Sequence, residues 1–255
     1  MNPLRPALAL VGAALTVTPA LAAEDVPLPC RPTIACTAEI VAPGRAEVEL
    51  GYAARRIGTD FQHTTPVLLK LTVTERLQLQ VGTNGWTFQP GTSRYLDDTV
   101  FLAKVALVKQ SEAVPAISAS LAMATPTSVG TLGYRPGVDA QGIVYASKDV
   151  GPIHGDLNVG LNVLELDRTP RHQPFAAFSA SSDVGHGLTP MAEVYGFAGA
   201  GRAAPRDVGF LAALGVAVGS WCVLDVGGDV GLGAQDRSFT LFVGFTALSP
   251  RAWRT

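Results

Sequence analysis

Charge is scarce in this chain, at 16% of 255 residues, and aromatics stand at 7%. There are 3 cysteines and 4 histidines, and neither HExxH nor CxxC spacing occurs. Metal-ligand sets of the common kinds are therefore excluded, and no metal or cofactor is expected. Basic residues form no stripe, which removes nucleic acid from the expected partners. Beyond the N-terminal leader no run of 18 apolar residues occurs, so spanning a membrane by helices is excluded. Spanning by strands is not.

The leader itself, MNPLRPALALVGAALTVTPALAAED, has one positive charge at Arg5, an apolar run from Ala7 to Val17, and small residues at Ala20, Ala22 and Ala23. That is the pattern of a cleaved secretory signal over residues 1–23. The rival, an anchor helix, is broken by Gly12, Thr16, Thr18 and Pro19 and falls short of the ~20 residues a span needs. Loss of Arg5 with the leader leaves 18 basic residues against 21 acidic ones, a net charge of −3. In an exported chain, Cys30 and Cys36 read as a small-loop disulfide. Cys222 is left over, and the sequence does not fix whether it pairs with either of them.

What the chain has is alternation. In DLNVGLNVLEL, Asp156, Asn158, Gly160 and Asn162 share one parity, while Leu157, Val159, Leu161 and Val163 share the other. A strand with one apolar face has this period. RAEVELGY, RLQLQVGTN, VLDVGGDVGL and SFTLFVGFT repeat it. From Gly44 onward the chain offers twelve strand candidates: 45–57, 66–74, 76–85, 99–110, 113–124, 143–148, 153–166, 173–182, 189–198, 208–218, 222–234 and 237–247. Connections alternate between short turns (TE, SE, DVGP, VGHGL, GSW) and mostly longer loops such as WTFQPGTSRYLDD. A soluble β-sandwich also alternates, but it has no reason to gather its long loops at one end. Strands of ~10 residues match a tilted bilayer span. The expectation is an all-β fold, a closed up-and-down antiparallel transmembrane β-barrel of about 12 strands over residues 44–255.

The polar parity then faces a lumen. Candidate lining residues are Glu47, Glu49, Lys70, Gln78, Gln80, Lys104, Asp156, Asn158, Asn162, Glu193, Asp225 and Asp229. Most of these read as inter-strand hydrogen bonds and ion pairs rather than a solute path. Tyr52, Trp86, Phe88, Tyr95, Phe197, Phe210 and Trp221 lie near strand ends, where interfacial belts form. Residues 24–43 read as a loose periplasmic extension carrying the Cys30–Cys36 pair, with a plug folded into the lumen as the alternative. His63 and His172 fall on outer loops, and His154 and His186 on periplasmic turns. No serine has the spacing of a barrel lipase, so the expectation is not an enzyme.

VELGYAARR, TTPVLLKLTVTERLQLQVGTNG, VGPIHGDLNVGLN, MAEVYGF and FTLFVGFT together resemble the outer-membrane barrel family named for the meta-pathway of phenol degradation. The resemblance implies a channel or transport component for small molecules, aromatic or hydrophobic ones among them. The site implied is the outer membrane of a Gram-negative bacterium, and the partners are outer-membrane lipid and the barrel-assembly machinery. Residues 86–98 and 125–142 would shape the mouth. The alternative is a closed structural or surface-binding barrel with no transport activity. One departure from the usual barrel ending is that Phe245 is followed by TALSPRAWRT rather than closing the chain.

Overall fold

The computed structural model describes residues 26–57, 59–91, 93–130, 138–166, 169–201, 204–233 and 237–253. The leader expected over residues 1–23 lies outside them. Among the described residues the chain forms strands only. The first eight are β1 (Ala46–Ile57), β2 (Asp60–Thr64), β3 (Val67–Thr72), β4 (Leu77–Thr83), β5 (Trp86–Gln89), β6 (Ser93–Leu96), β7 (Thr99–Val108) and β8 (Ala116–Thr125). The others are β9 (Val129–Gly130), β10 (Asp139–Val150), β11 (Ile153–Leu166), β12 (Thr169–Ser182), β13 (Leu188–Phe197), β14 (Asp207–Val218), β15 (Cys222–Leu232) and β16 (Arg237–Leu248).

Twelve of them make the wall. β1, β3, β4, β7, β8 and β10 to β16 pair antiparallel in chain order, and β16 returns to β1 from Glu47↔Leu248 to Ile57↔Ser238. Closure pairs both edges of the sheet, which is what a strand-built wall in lipid requires. The polarity is inverted relative to a soluble protein. Leu69, Leu79, Leu121, Val144, Val159, Phe178, Val194, Val226 and Leu241 are exposed on the outside, Leu121 at 75%. Meanwhile Glu47 and Glu49 are 0% exposed and Lys70 is 2% exposed. Outward Leu, Val and Phe side chains lose contact with water only if hydrocarbon covers them, a gain of roughly 1.5 to 3 kcal/mol for each side chain fully covered.

The remaining four strands continue wall strands beyond short interruptions. The upper half of β1 leaves β3 and pairs with β2 from Ala53↔Thr64 to Ile57↔Asp60. β2 pairs with β5, β5 with β6, and β6 with β9. The breaks fall at Thr65–Pro66, Asn84–Gly85, Asp97–Asp98 and residues 126–128. Between β3/β4 and β2/β5 the pairing shifts by one residue, from Val67↔Thr83 to Thr64↔Thr87. A second one-residue shift separates Thr99↔Thr125 from Leu96↔Val129. Each is a β-bulge, which bends the ladder and increases its twist. At the first, Gly85 has φ +69°, and a Cβ there would lie 2.0 Å from the Thr65 carbonyl oxygen, so only glycine fits.

Sequence pattern and structure part company in this upper strip. Residues 60–64, 86–89 and 93–96, read from the sequence as loop, are strands. β10 begins at Asp139 rather than residue 143, and β12 at Thr169 rather than residue 173. Pro170 and Pro174 signal a turn locally, but the fourteen-pair ladder with β11 carries the strand through them. At the other end, Ser249 N–H donates to Ala46 O and Ala252 N–H donates to Gly44 O, so the tail after β16 extends the ladder along the base of β1.

Candidate functional site

The site is the barrel interior. Residues 26–42 are not a loose periplasmic extension, which corrects the expectation from sequence. They touch β1, β3, β7, β8, β10, β11, β13 and β15, strands spread around the whole ring, and only a segment inside the ring can do so. The physical reason is mutual satisfaction. An irregular segment carries unpaired N–H and C=O groups, the inward wall carries buried charges, and each supplies what the other lacks.

Leu28 N–H donates to Glu47 Oε1 at 2.7 Å, and Lys70 Nζ donates to Leu28 O at 2.6 Å. Lys70 Nζ lies 3.1 Å from Glu47 Oε2 and 2.7 Å from Glu49 Oε1, a buried triad at the base of β1 and β3. Glu49 also accepts from Cys30 N–H at 2.9 Å and Arg31 N–H at 3.2 Å. Across the lumen, Glu193 accepts from Ile34 N–H at 2.9 Å and Ala35 N–H at 2.6 Å. Cys30 and Cys36 are joined by a disulfide, and Cys222 is free and buried. Arg31 reaches Asp225 at 3.6 Å and donates to Val243 O. Asn158, with its amide turned to suit both groups, accepts from Cys36 N–H at 2.7 Å and donates to Cys36 O at 2.9 Å.

Further down, Lys104 donates to Thr37 O and to Glu39 O, with its ammonium over the Tyr145 ring. Ser147 Oγ receives Ala38 N–H at 2.6 Å and itself donates to Asp156. Burial pushes the Glu39 carboxyl above its ordinary range, and the charge of His154 opposes that rise. Small apolar clusters complete the packing. Ala35 and Ile34 meet Ala177, Tyr195 and Phe197, and Ala38 meets Ala116 and Tyr145.

Other lining candidates bond to the wall. Gln78 donates to Thr72 at 3.1 Å and Gln80 to Gln78 at 2.8 Å. Asn162 bridges Gln141 and Gln173. Asp229 accepts from Tyr195 OH at 2.8 Å. The structure thus brings Glu47, Glu49, Lys70, Lys104, Asn158, Glu193 and Asp225 together on the lodged segment, and leaves Gln78, Asn162 and Asp229 in cross-strand bonds and Gln80 bonded to Gln78 along β4. Arg31, Thr37, Ser118 and Ser147 were missed from sequence. Ser118 and Ser147 lie on the inward parity and were legible by counting, but nothing marked the segment that they would hold.

Above the segment lies a cavity of about 700 Å³. Cys30 and Arg31 form its floor, and its walls include Glu49, Leu68, Tyr95, Asp97, Asp98, Val100, Ser128 and Asp139. It sits at the level of the two bulges. Asp97 accepts from Asn84 on one carboxylate oxygen and from Asp98 N–H on the other, while Asp98 accepts from Ser128 N–H and Asp139 from Glu165 N–H. None of the three is in an ion pair among the described residues. Residues 125–142, expected to shape the mouth, contribute Ser128, Val129 and Asp139, and 131–137 lie outside the described residues. Outside the wall, Tyr52, His63 and Phe88 stack in succession, and Arg94 lies 4.8 Å above Phe88. Trp86 is exposed, as an interfacial belt residue would be.

No family model matches the chain, and no curated protein matches it. Among solved structures, the COG4313 outer membrane channel from Pseudomonas putida F1 is similar with a TM-score of 0.62 and 12% identity, covering 83% of this chain and 97% of the other. The NanC porin is similar with a TM-score of 0.58 and 8% identity, covering 78% and 98%. The KdgM porin, also solved in complex with disordered oligogalacturonate, has a TM-score of 0.53 and 11% identity, covering 78% and 98%. At these identities the likeness establishes the fold, that of an outer-membrane β-barrel.

Proposed function

We propose that the chain is an outer-membrane channel or transport component that passes small molecules, aromatic or hydrophobic ones among them. The observation that carries this reading is the 700 Å³ cavity with its mixed lining, set in a closed wall whose outside is apolar. The resemblance to the phenol meta-pathway family supports the solute range, and the similar structures described as channels and porins support the activity class. The location that follows is the outer membrane of a Gram-negative bacterium, with outer-membrane lipid around the wall and the barrel-assembly machinery inserting it.

A second reading is a closed barrel with no transport. The segment lodged in the lumen favours it, because seven lining side chains hold that segment rather than facing an empty pore. Planar-bilayer recording and uptake by a deletion strain, run across small aromatic and polar compounds, separate the two. Reproducible conductance steps and a lost uptake phenotype support the channel; silence across voltages with unchanged uptake supports the closed barrel.

A further inference from the structure

The grip on the tip of the lodged segment is built in duplicate. Glu49 on β1 takes two consecutive N–H groups, Cys30 and Arg31, one on each carboxylate oxygen. Glu193 on β13 takes Ile34 and Ala35 in the same way. The two strands stand four apart around the ring, with β14, β15 and β16 between them. The pairs of donors face the two carboxylates from one small loop, and the Cys30–Cys36 disulfide closes that loop. Pro27, Pro29 and Pro32 have no N–H to satisfy, and Leu28, Cys30, Arg31, Ile34 and Ala35 donate theirs to wall carboxylates.

We infer that Glu49 and Glu193 are positioning residues that clamp the disulfide-closed loop across the lumen, and that this double clamp sets how far the pathway beneath the outer cavity opens. The inference rests on the channel reading and adds a control point to it. Cys30 and Arg31 are the cavity floor, so whatever fixes the loop fixes the floor. Beyond the loop, Lys104, Ser118 and Ser147 hold Thr37, Ala38 and Glu39. Releasing the tip therefore leaves the lower part anchored, and movement is confined to the residues that block the cavity from below. The disulfide couples the two grips, because a closed loop cannot leave one wall without straining its bonds to the other.

Glutamine tests the clamp with little change of shape. It keeps one accepting oxygen and turns an NH₂ toward the second N–H, so one of each pair of bonds becomes a donor–donor clash. Glu193→Gln is the cleaner variant, since Glu193 has no ion pair among the described residues, whereas Glu49 also meets Lys70. Two readouts on the full-length protein in lipid are needed: amide hydrogen exchange over residues 28–38, and single-channel conductance. Expected in Glu193→Gln are exchange at Ile34 and Ala35 faster by roughly tenfold or more, as loss of a charge-assisted bond implies, and a larger conductance or open probability. Treating the wild type with a membrane-permeant reductant should move both readouts the same way, which keeps the test available if a variant assembles poorly. Glu75→Gln, at an exposed turn, is the control and should change neither. Unchanged exchange in Glu193→Gln overturns the clamp. Faster exchange with unchanged conductance steps overturns its control of the pathway. Faster exchange in a barrel that is silent in every form, reduced protein included, sinks the channel reading and leaves the clamp standing.

Discussion

Lys70→Met should be among the most damaging substitutions in the wall. Lys70 Nζ sits 3.1 Å from Glu47 and 2.7 Å from Glu49, and all three side chains are nearly or wholly buried. It also donates to Leu28 O at 2.6 Å. Methionine preserves the volume but strands two buried carboxylates and one carbonyl. Removing one partner of a buried pair costs about 3–5 kcal/mol, whereas a pair in bulk-like water is worth about 0–1 kcal/mol. The size of the loss therefore reports whether the lumen is packed by the lodged segment or filled with water. Reversible urea unfolding in lipid vesicles, followed by tryptophan fluorescence, supplies the number. Adding Glu47→Gln to Lys70→Met should recover part of the loss, because one of the two stranded charges is gone. A loss below about 1 kcal/mol for Lys70→Met would refute the packed interior.

Other predictions follow from the same geometry. Val226→Arg, on the outward face of β15, should cost roughly 2–4 kcal/mol in the same unfolding assay if it lies near the bilayer midplane, and a cost near zero would contradict a lipid-facing wall. Gly85→Ala should destabilise by more than about 1 kcal/mol, since φ is +69° and the new Cβ meets the Thr65 carbonyl; an unchanged unfolding midpoint would count against the bulge. Asp97→Asn, Asp98→Asn and Asp139→Asn together should shift the reversal potential in a salt gradient toward anion permeation, because among the described residues Arg31 is the basic side chain lining that cavity.

Much of the wall was legible in the sequence because its physics repeats. Leu157, Val159 and Leu161 share a parity, as do Asp156 and Asn158, and the structure puts the first set outside and the second inside. The upper strip was not legible for a related reason. A one-residue bulge flips the parity of everything after it, so the residues beyond Asn84–Gly85 and beyond Pro126 do not continue the pattern that precedes them. Trp86, Phe88 and Tyr95 then read as loop aromatics although they lie in a β5–β6 hairpin.

The lodged segment was hidden differently. Residues 26–42 have no period to read, and their partners are single side chains such as Glu193 and Asn158, more than a hundred positions away. What could have pointed to them is the cost of burying Glu47 and Glu49 with Lys70 alone between them, and Glu193 with no cation beside it among the described residues. Lys70 and Lys104 are too few to pair with every inward carboxylate, and the backbone N–H groups of the segment make up the difference.

Nitroxide labels placed one at a time from Leu157 to Val163 test the central claim most directly. The protein would be carried in lipid vesicles with Cys222 replaced by serine. Collision rates with oxygen, which concentrates in hydrocarbon, should be high at 157, 159 and 161 and low at 158 and 162, with a water-soluble relaxation agent excluded from the first set. Uniform aqueous accessibility, or shielding of both parities from oxygen, would contradict a wall whose apolar side chains meet lipid.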